Sequence, residues 1–361
     1  MSNTFGTVYR FTVFGQSHAP AIGVTIEGLP AGSPVDLAIL QAFLDRRAPG
    51  KSPLSTARKE ADVPELLSGL GPDGKSCGAP LTFIIRNGDT RSKDYEQLRY
   101  VPRPGHADLP AMLRFGANRD YPGGGQFSGR LTAPLVFTGA VAKSVLVQKG
   151  ITVGAHIARI GKITDILFSP LGETEERLQA LRKQTLPVLD QSNAQLMEAE
   201  ILSAREQQDS VGGIIEVMAT GMPAGIGDPF FDSVESRLSH ALFSVPAVKG
   251  IEFGAGFVLA AMKGSEANDP MIFENGRIQT TRNNNGGITG GITNGMPVLF
   301  RVAIKPTPSI GRPQQTVNVA EAKDTILEIK GRHDPCIVPR AVPVIEAVTA
   351  WVLLDMLQDL R

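Results

Sequence analysis

The chain switches repeatedly between two hydrophobic periods. VYRFTVF at 8–14 alternates in part, and AIGVTIEGLP at 21–30 is an apolar run closed by a Gly/Pro turn, so both predict strands. A helix is expected after Asp36, whose carboxylate suits an N-cap. Leu37, Leu40, Phe43 and Leu44 share one face, and Ala48-Pro49-Gly50 ends the pattern. LTFIIRN at 81–87 predicts another strand. From 87 to 131 the periodicity fails: the stretch is long, polar and irregular, and structureless loops of that length are usually functional. An apolar helix is expected near 133–148, and two charge-rich helices at 173–184 and 190–207 read as exposed or interface elements. A strand at 214–223, a helix near 232–243, a glycine-rich stretch at 283–295, a strand at 298–306 and a C-terminal helix at about 343–359 complete the pattern.

A repeat lies inside this order. IGVTIEGLPAGSP (22–34) is similar to GIIEVMATGMPAGIGDP (213–229), and a helix follows each. LTFIIRNGDT (81–90) pairs with VLFRVAIKPTP (298–308). RPGHADLP (103–110) pairs with KGRHDPCI (330–337), and each leads through an arginine, Arg130 or Arg340, into an apolar helix. Three matches in one order predict two related halves within one domain, roughly 1–150 and 205–361, with a cleft where equivalent edges meet.

Charge narrows the partners. With 36 basic and 36 acidic residues the chain is neutral, which argues against a protein that coats nucleic acid. Arginines nevertheless recur in short motifs, at Arg46 and Arg47, Arg86 and Arg91, Arg114 and Arg119, and Arg332 and Arg340. Their forked guanidinium groups suit a small, multiply anionic ligand. Cys77 and Cys336 form neither a zinc spacing nor a disulfide framework, as expected for a reducing, cytoplasmic setting. The N-terminus lacks a signal-peptide pattern, and the apolar run 341–354 is too short for a membrane span and carries Glu346.

Candidate chemistry concentrates in loops. His18 (GQSHAP), His106 (RPGHADLP) and His333 (GRHDP) are bounded by glycine or proline. Asp108 and Asp334 stand close in sequence to the last two, and a carboxylate can orient an imidazole for acid/base work. His156 and His240, in strand-like and helical surroundings, are given no role. No HxH, HExxH or Cys-rich spacing supports a metal, and no G-x-S-x-G elbow supports a serine nucleophile. Gly123-Gly124-Gly125, Gly286-Gly287 and Gly290-Gly291 serve either as turns or as close backbone approaches to an anion or flat cofactor. Neither a P-loop nor a Rossmann fingerprint is present. SGR (128–130) and KPTPS (305–309) combine hydroxyls and a cation, a mix that suits phosphate.

FGQSHAPAIGVTIEGLPAG resembles the chorismate synthase signature, which usually reads GESHG at its core. DRRAPG, RNGDTRSKDY, RPGHAD, the GGG-x-x-S-x-R segment, AVKG, GGITGG, KPTPS and GRHDPCIVPRAVPVIEA follow in that family's order, from about residue 3 to the C-terminus. Gln16 and Ala19 depart from the family's usual Glu and Gly, Gln126 and Phe127 from Arg and Ser, Pro246 from Asn and Pro308 from Ser. Pro53 stands where many members have a basic residue.

The resemblance implies an α+β fold with a helical layer sandwiched between two antiparallel β-sheets, in two pseudo-equivalent halves, assembled as a homotetramer. It implies an anti 1,4-elimination of phosphate from 5-enolpyruvylshikimate 3-phosphate, giving chorismate with reduced FMN and no net redox change, and with NADPH as a reductant in some members. His18 would protonate the leaving phosphate, His106 would stabilise or protonate the reduced flavin, and Asp334 would assist proton transfer near it. Arg47, Gln126, Phe127, Ser128, Ala247, Gly290, Lys305, Pro306, Thr307, Pro308, Ser309 and Arg332 would bind the cofactor. Arg47, Arg119, Arg130 and Arg340 would anchor the substrate. The competing readings are an FMN-dependent NADPH reductase and a non-catalytic phosphometabolite-binding protein.

Overall fold

The computed structural model describes residues 3–50, 54, 62–88, 97–274, 276–329 and 334–359. The first half contains β1 (Thr4–Phe5), β2 (Arg10–Gly15), β3 (Ala21–Glu27), α1 (Leu37–Arg47), β4 (Pro64–Ser68), β5 (Leu81–Arg86), α2 (Asp108–Phe115) and α3 (Thr132–Gln148). The second begins with β6 (Thr152–Ile160), β7 (Ile163–Thr164), α4 (Glu175–Leu181), α5 (Gln191–Glu206), β8 (Gly213–Thr220), α6 (Val234–Leu242) and β9 (Val248–Phe253). A short α7 (Gly264–Ala267) and the small ribbons β10 (Met271–Glu274) with β11 (Arg277–Thr280) and β12 (Ile288–Thr289) with β13 (Ile292–Thr293) precede β14 (Val298–Ile304). The ribbon of β15 (Gln314–Asn318) and β16 (Lys323–Leu327) then leads to α8 (Val338–Met356).

Two five-stranded sheets result, ordered β1-β2-β3-β5-β4 and β7-β6-β8-β14-β9, and every pairing within them is antiparallel. Leaving out the edge strands β1 and β7, the helices α2, α4, α5 and α7 and the small ribbons, both follow one scheme: two strands, a helix, two strands, a helix, with β2, β3, β5 and β4 placed as are β6, β8, β14 and β9, so the second set begins at β6 rather than near 205. Register puts apolar pairs on the inner faces: Ile22 with Ile85 and Val24 with Phe83 in one sheet, Val217 with Phe300 and Ile215 with Val302 in the other. Between the sheets lie α1, α3, α6 and α8.

The axis of this layer is the α3–α8 crossing. A methyl group on Gly139 would lie 2.2 Å from Ala347 Cα, so only glycine permits that approach. Apolar residues on all sides of both helices fit burial on all sides. The stretch from Pro122 through α3 is long and apolar enough to cross a membrane, but here it serves as a core helix.

Local expectations meet the structure in detail. Asp36 caps α1, accepting hydrogen bonds from the Ala38 and Ile39 amides. The C-terminal helix starts at Val338 rather than near 343, because Pro339 falls in the first turn, where no amide donor is needed, and Pro343 is accommodated inside. The irregular stretch 87–131 contains α2. It buries only Asp108 and Ala111, and its apolar Leu109 and Leu113 face solvent. The charge-rich helices are not wholly exposed: α4 buries Leu178 and Leu181 against the outer face of the second sheet, and α5 buries Met197, Ile201 and Ala204.

Candidate active site

A cleft of about 630 Å³ opens where loops of the two halves meet. Its wall is built by Gly105–Ala107, Gln126 and Phe127, the segment 243–249, Lys305, Thr307–Ser309 and the first turns of α8. Lys305 closes the junction by donating a hydrogen bond from Nζ to the Gly105 carbonyl. A neighbouring groove of about 710 Å³ shares Gln126, Thr132, Ser244 and Pro246 with it. That groove is larger, but His240 is its one titratable side chain among the described residues, and Phe5, Phe11, Leu135 and Trp351 dominate it. The ionisable chemistry is in the smaller cleft.

His106 is the most firmly oriented group there. Its Nδ1 lies 3.0 Å from Asp108 Oδ1. Arg103 grips the same carboxylate twice, through Nε at 2.7 Å and Nη2 at 2.8 Å, and its backbone amide donates at 3.0 Å. Burial alone would raise the Asp108 pKa; the hydrogen bonds from Arg103 and His106 outweigh it and hold the carboxyl well below the usual range. Arg103 Nη2 also lies 3.2 Å from His106 Nδ1, so Nδ1 is engaged by the Arg103–Asp108 pair and Nε2 is left for other partners.

The four substrate arginines divide. Arg47 and Arg340 line the cleft, whereas Arg130 and Arg119 do not. Asp62 explains the placing of two of them: fully buried, it pairs with Arg47 Nη2 at 2.7 Å and with Arg130 Nη1. Arg130 also donates to Asn87 Oδ1 at 3.0 Å, and Arg47 to the Gly129 carbonyl at 3.2 Å. Arg340 donates to the Arg47 carbonyl at 2.9 Å and to Asp334 Oδ2 at 2.6 Å, so Asp334 also reaches the cleft wall. Arg119 Nη2 donates to the Leu98 and Arg99 carbonyls at 2.9 and 2.7 Å.

His18 is not part of the cleft wall. It lies against the glycine turn: a methyl group on Gly123 would sit 2.1 Å from His18 Cε1, and one on Gly124 would sit 3.2 Å from His106 Cε1. Gly123, Gly124 and Gly125 have φ of 61°, 84° and 52°, which suits glycine alone. The turn therefore seats both imidazoles on adjacent residues. Asp120 stands near His18; burial raises its pKa, and the imidazole opposes the shift.

Of the other candidates, Gln126, Phe127, Ala247, Lys305, Thr307, Pro308 and Ser309 line the cleft. Ser128 faces the neighbouring groove and accepts from the Arg130 amide at 3.3 Å. Pro306 is exposed off the wall, and Gly290 sits in the β12–β13 turn, away from the cleft. Arg332, His333, Arg91 and Pro53 lie outside the described residues. Sequence reasoning missed Arg103, Asp62 and Lys249. Arg103 was within reach, since it belongs to the RPGHAD motif.

The cleft combines cations and one unspent hydroxyl group with an apolar wall. Burial and the nearby Lys249 ammonium lower the Lys305 pKa, the mark of two cations sharing one small space. Thr307 Oγ1 is buried and has no hydrogen-bond partner. Val245, Ile337, Ala341 and Val344 supply the apolar surface. This set suits a phosphorylated ligand with a flat body.

Comparison with known proteins agrees. The family model for chorismate synthase matches residues 9–358. The chorismate synthase of Methanocella arvoryzae is 49% identical over 355 residues, covering 98% of this chain and 94% of the relative. That of Thermococcus gammatolerans is 48% identical over 352 residues, covering 98% and 96%. A crystal structure of chorismate synthase is similar with a TM-score of 0.74 at 28% identity, covering 98% of this chain and 93% of that one.

Proposed function

We propose, for a chain that belongs to the chorismate synthase family, that the cleft beside His106 and Arg340 is where this carbon–oxygen lyase works. The reaction is the anti 1,4-elimination of phosphate from 5-enolpyruvylshikimate 3-phosphate, giving chorismate at the end of the shikimate pathway. A proton leaves C6, the electron pair shifts through the ring, and the C3–O bond breaks with phosphate taking its electrons.

Reduced FMN is the proposed cofactor, and the chain's residues fit it: Lys305, Lys249, Thr307 and Ser309 suit its phosphate, and the Val245–Val344 surface suits its ring. When bound, it supplies electron density to the breaking C–O bond without net redox change. His106, fixed by Asp108, offers Nε2 to the ring and holds or moves a proton there. Asp334, held by Arg340, assists removal of the C6 proton. Arg47 and Arg340 anchor the substrate's anionic groups. Arg130 supports Arg47 through Asp62 rather than through the ligand. His18 is assigned the leaving-group proton, reaching the phosphate from the glycine-turn side. We propose a homotetramer as the working assembly.

The observation that carries this reading is an imidazole oriented by a buried carboxylate sharing one cleft with the Asp334–Arg340 pair. The test is anaerobic mixing of the protein with substrate and chemically reduced FMN, followed by chorismate absorbance. Chorismate formed only with reduced FMN supports it. No chorismate under those conditions, or equal rates without flavin, overturns it.

A further inference from the structure

Away from the cleft, Glu346 on α8 is fully buried and faces three cations. It accepts hydrogen bonds from Arg46 Nη1 at 2.9 Å and Arg182 Nε at 2.9 Å, and it pairs with Lys143 Nζ. The same cations crowd the Phe43 ring, with Lys143 Nζ 4.8 Å, Arg46 5.5 Å and Arg182 5.7 Å from its centroid. Lys143 and Arg182 also share the Val153 carbonyl, at 2.9 and 2.8 Å.

This cluster backs onto a pocket of about 250 Å³ lined by Arg46, Arg182, Lys183, Thr185 and Asp45. Among the described residues, cluster and pocket set five cations, Arg46, Lys143, Arg182, Lys183 and Arg340, against Glu346 and Asp45, with Asp334 paired to Arg340. Arg46, Lys143 and Arg182 are held largely out of water around the Glu346 carboxylate, and cations so placed are costly unless a further anion joins them; Lys183 is exposed. Arg46 and Arg182 are both lowered to about 10, by burial first, and Lys143 is lowered well below its ordinary value by burial and by its two guanidinium neighbours. The elimination uses none of these groups.

We propose that this pocket is a second anion site, taking a small tetrahedral oxyanion of the phosphate class beside Arg46, Arg182 and Lys183. Its volume admits such an ion, and the missing negative charge is what a dianion brings. Arg340 lines both the pocket and the cleft, so the two sites share one residue and are otherwise separate.

The test uses the full-length protein crystallised and soaked in tungstate, a phosphate-shaped ion with strong anomalous scattering. The expected result is an anomalous peak against Arg46, Arg182 and Lys183. In solution, a calorimetric titration with inorganic phosphate should show binding weakened by about tenfold in Lys183→Glu. Lys183 is exposed, so that variant should fold even if Arg182→Gln does not. No peak in this pocket while the cleft is occupied, or unchanged phosphate affinity in Lys183→Glu, overturns the proposal.

Discussion

His106 Nδ1 lies 3.0 Å from Asp108 Oδ1, and the tether spans a single intervening residue. Arg103 holds both oxygens of that carboxylate, and its Nη2 also lies 3.2 Å from His106 Nδ1, so the imidazole is fixed before any ligand arrives. Asp108→Asn should keep the fold but loosen the ring. The expected cost is roughly 10–100-fold in anaerobic turnover, as for loss of a histidine's supporting carboxylate. Unchanged turnover in steady-state assays would remove His106 orientation from the account.

Arg47 and Arg130 share the buried acid Asp62. Asp62→Asn removes that charge from between two buried guanidinium groups, and breaking such a pair costs about 3–5 kcal/mol. Urea unfolding should show a loss of that order, and the Michaelis constant for substrate should rise because Arg47 reaches the cleft. A loss below about 0.5 kcal/mol would mean the cluster contributes no more than a surface contact.

A ladder of charge crosses the second sheet. His156, Glu216, Arg301 and Glu252 are direct cross-strand partners on β6, β8, β14 and β9. His156 Nε2 meets Glu216 Oε2 at 2.9 Å, and its Nδ1 faces Asp165 Oδ2 at 3.5 Å; Arg301 approaches Glu216 from the far side at 3.8 Å. Burial lowers the His156 pKa, but the hydrogen bonds and charges of Asp165 and Glu216 prevail and raise it. A raised folded pKa gives stability that is complete below the unfolded value of about 6.5 and is lost as pH rises through the folded one. Asp165 acts in the opposite direction: burial would raise it, the bonds it accepts hold it at about 2, and its contribution fades as pH falls toward that value. Denaturant midpoints of the wild type should therefore decline as pH rises above about 6.5, and His156→Gln should flatten that decline. Parallel curves would refute the linkage.

The two loop histidines should fail differently. His106→Ala should alter the spectrum of bound reduced FMN as well as the rate, whereas His18→Ala should lower turnover with flavin binding nearly intact. Each loss of a general acid is expected to cost roughly 10²–10⁴-fold. Stopped-flow absorbance of both variants is the check. Since His18 lies against Gly123 and off the cleft wall, full turnover in His18→Ala would reduce it to a packing residue of the glycine turn.

Some of this was legible in the sequence, for physical reasons. Asp36 caps through its own side chain two and three residues on, so its role is local and readable. The Leu81–Arg86 strand alternates because one of its faces is buried. By contrast, Asp62 meets Arg130 across 68 residues, and no periodicity marks such a pairing. His156 drew no attention because a strand histidine looks like core, and its carboxylates come from β8 and the loop after β7. The ribbon β15–β16 escaped because QQTVN and KDTIL carry too few apolar residues to signal strands. The resemblance implied Arg119 as a substrate anchor, yet its Nη2 donates to two nearby carbonyls, a placement that no sequence pattern marks.

The smaller cleft is the proposed seat of the reaction. The most direct measurement is a crystal structure of the protein with substrate and oxidised FMN, a pair that the proposed need for reduced flavin keeps from reacting. The account predicts both ligands in the cleft lined by His106, Lys305, Asp334 and Arg340, with Thr307 Oγ1 gaining a hydrogen bond. Both ligands seated instead in the groove lined by Phe11, His240 and Trp351, with the His106 cleft empty, would contradict it.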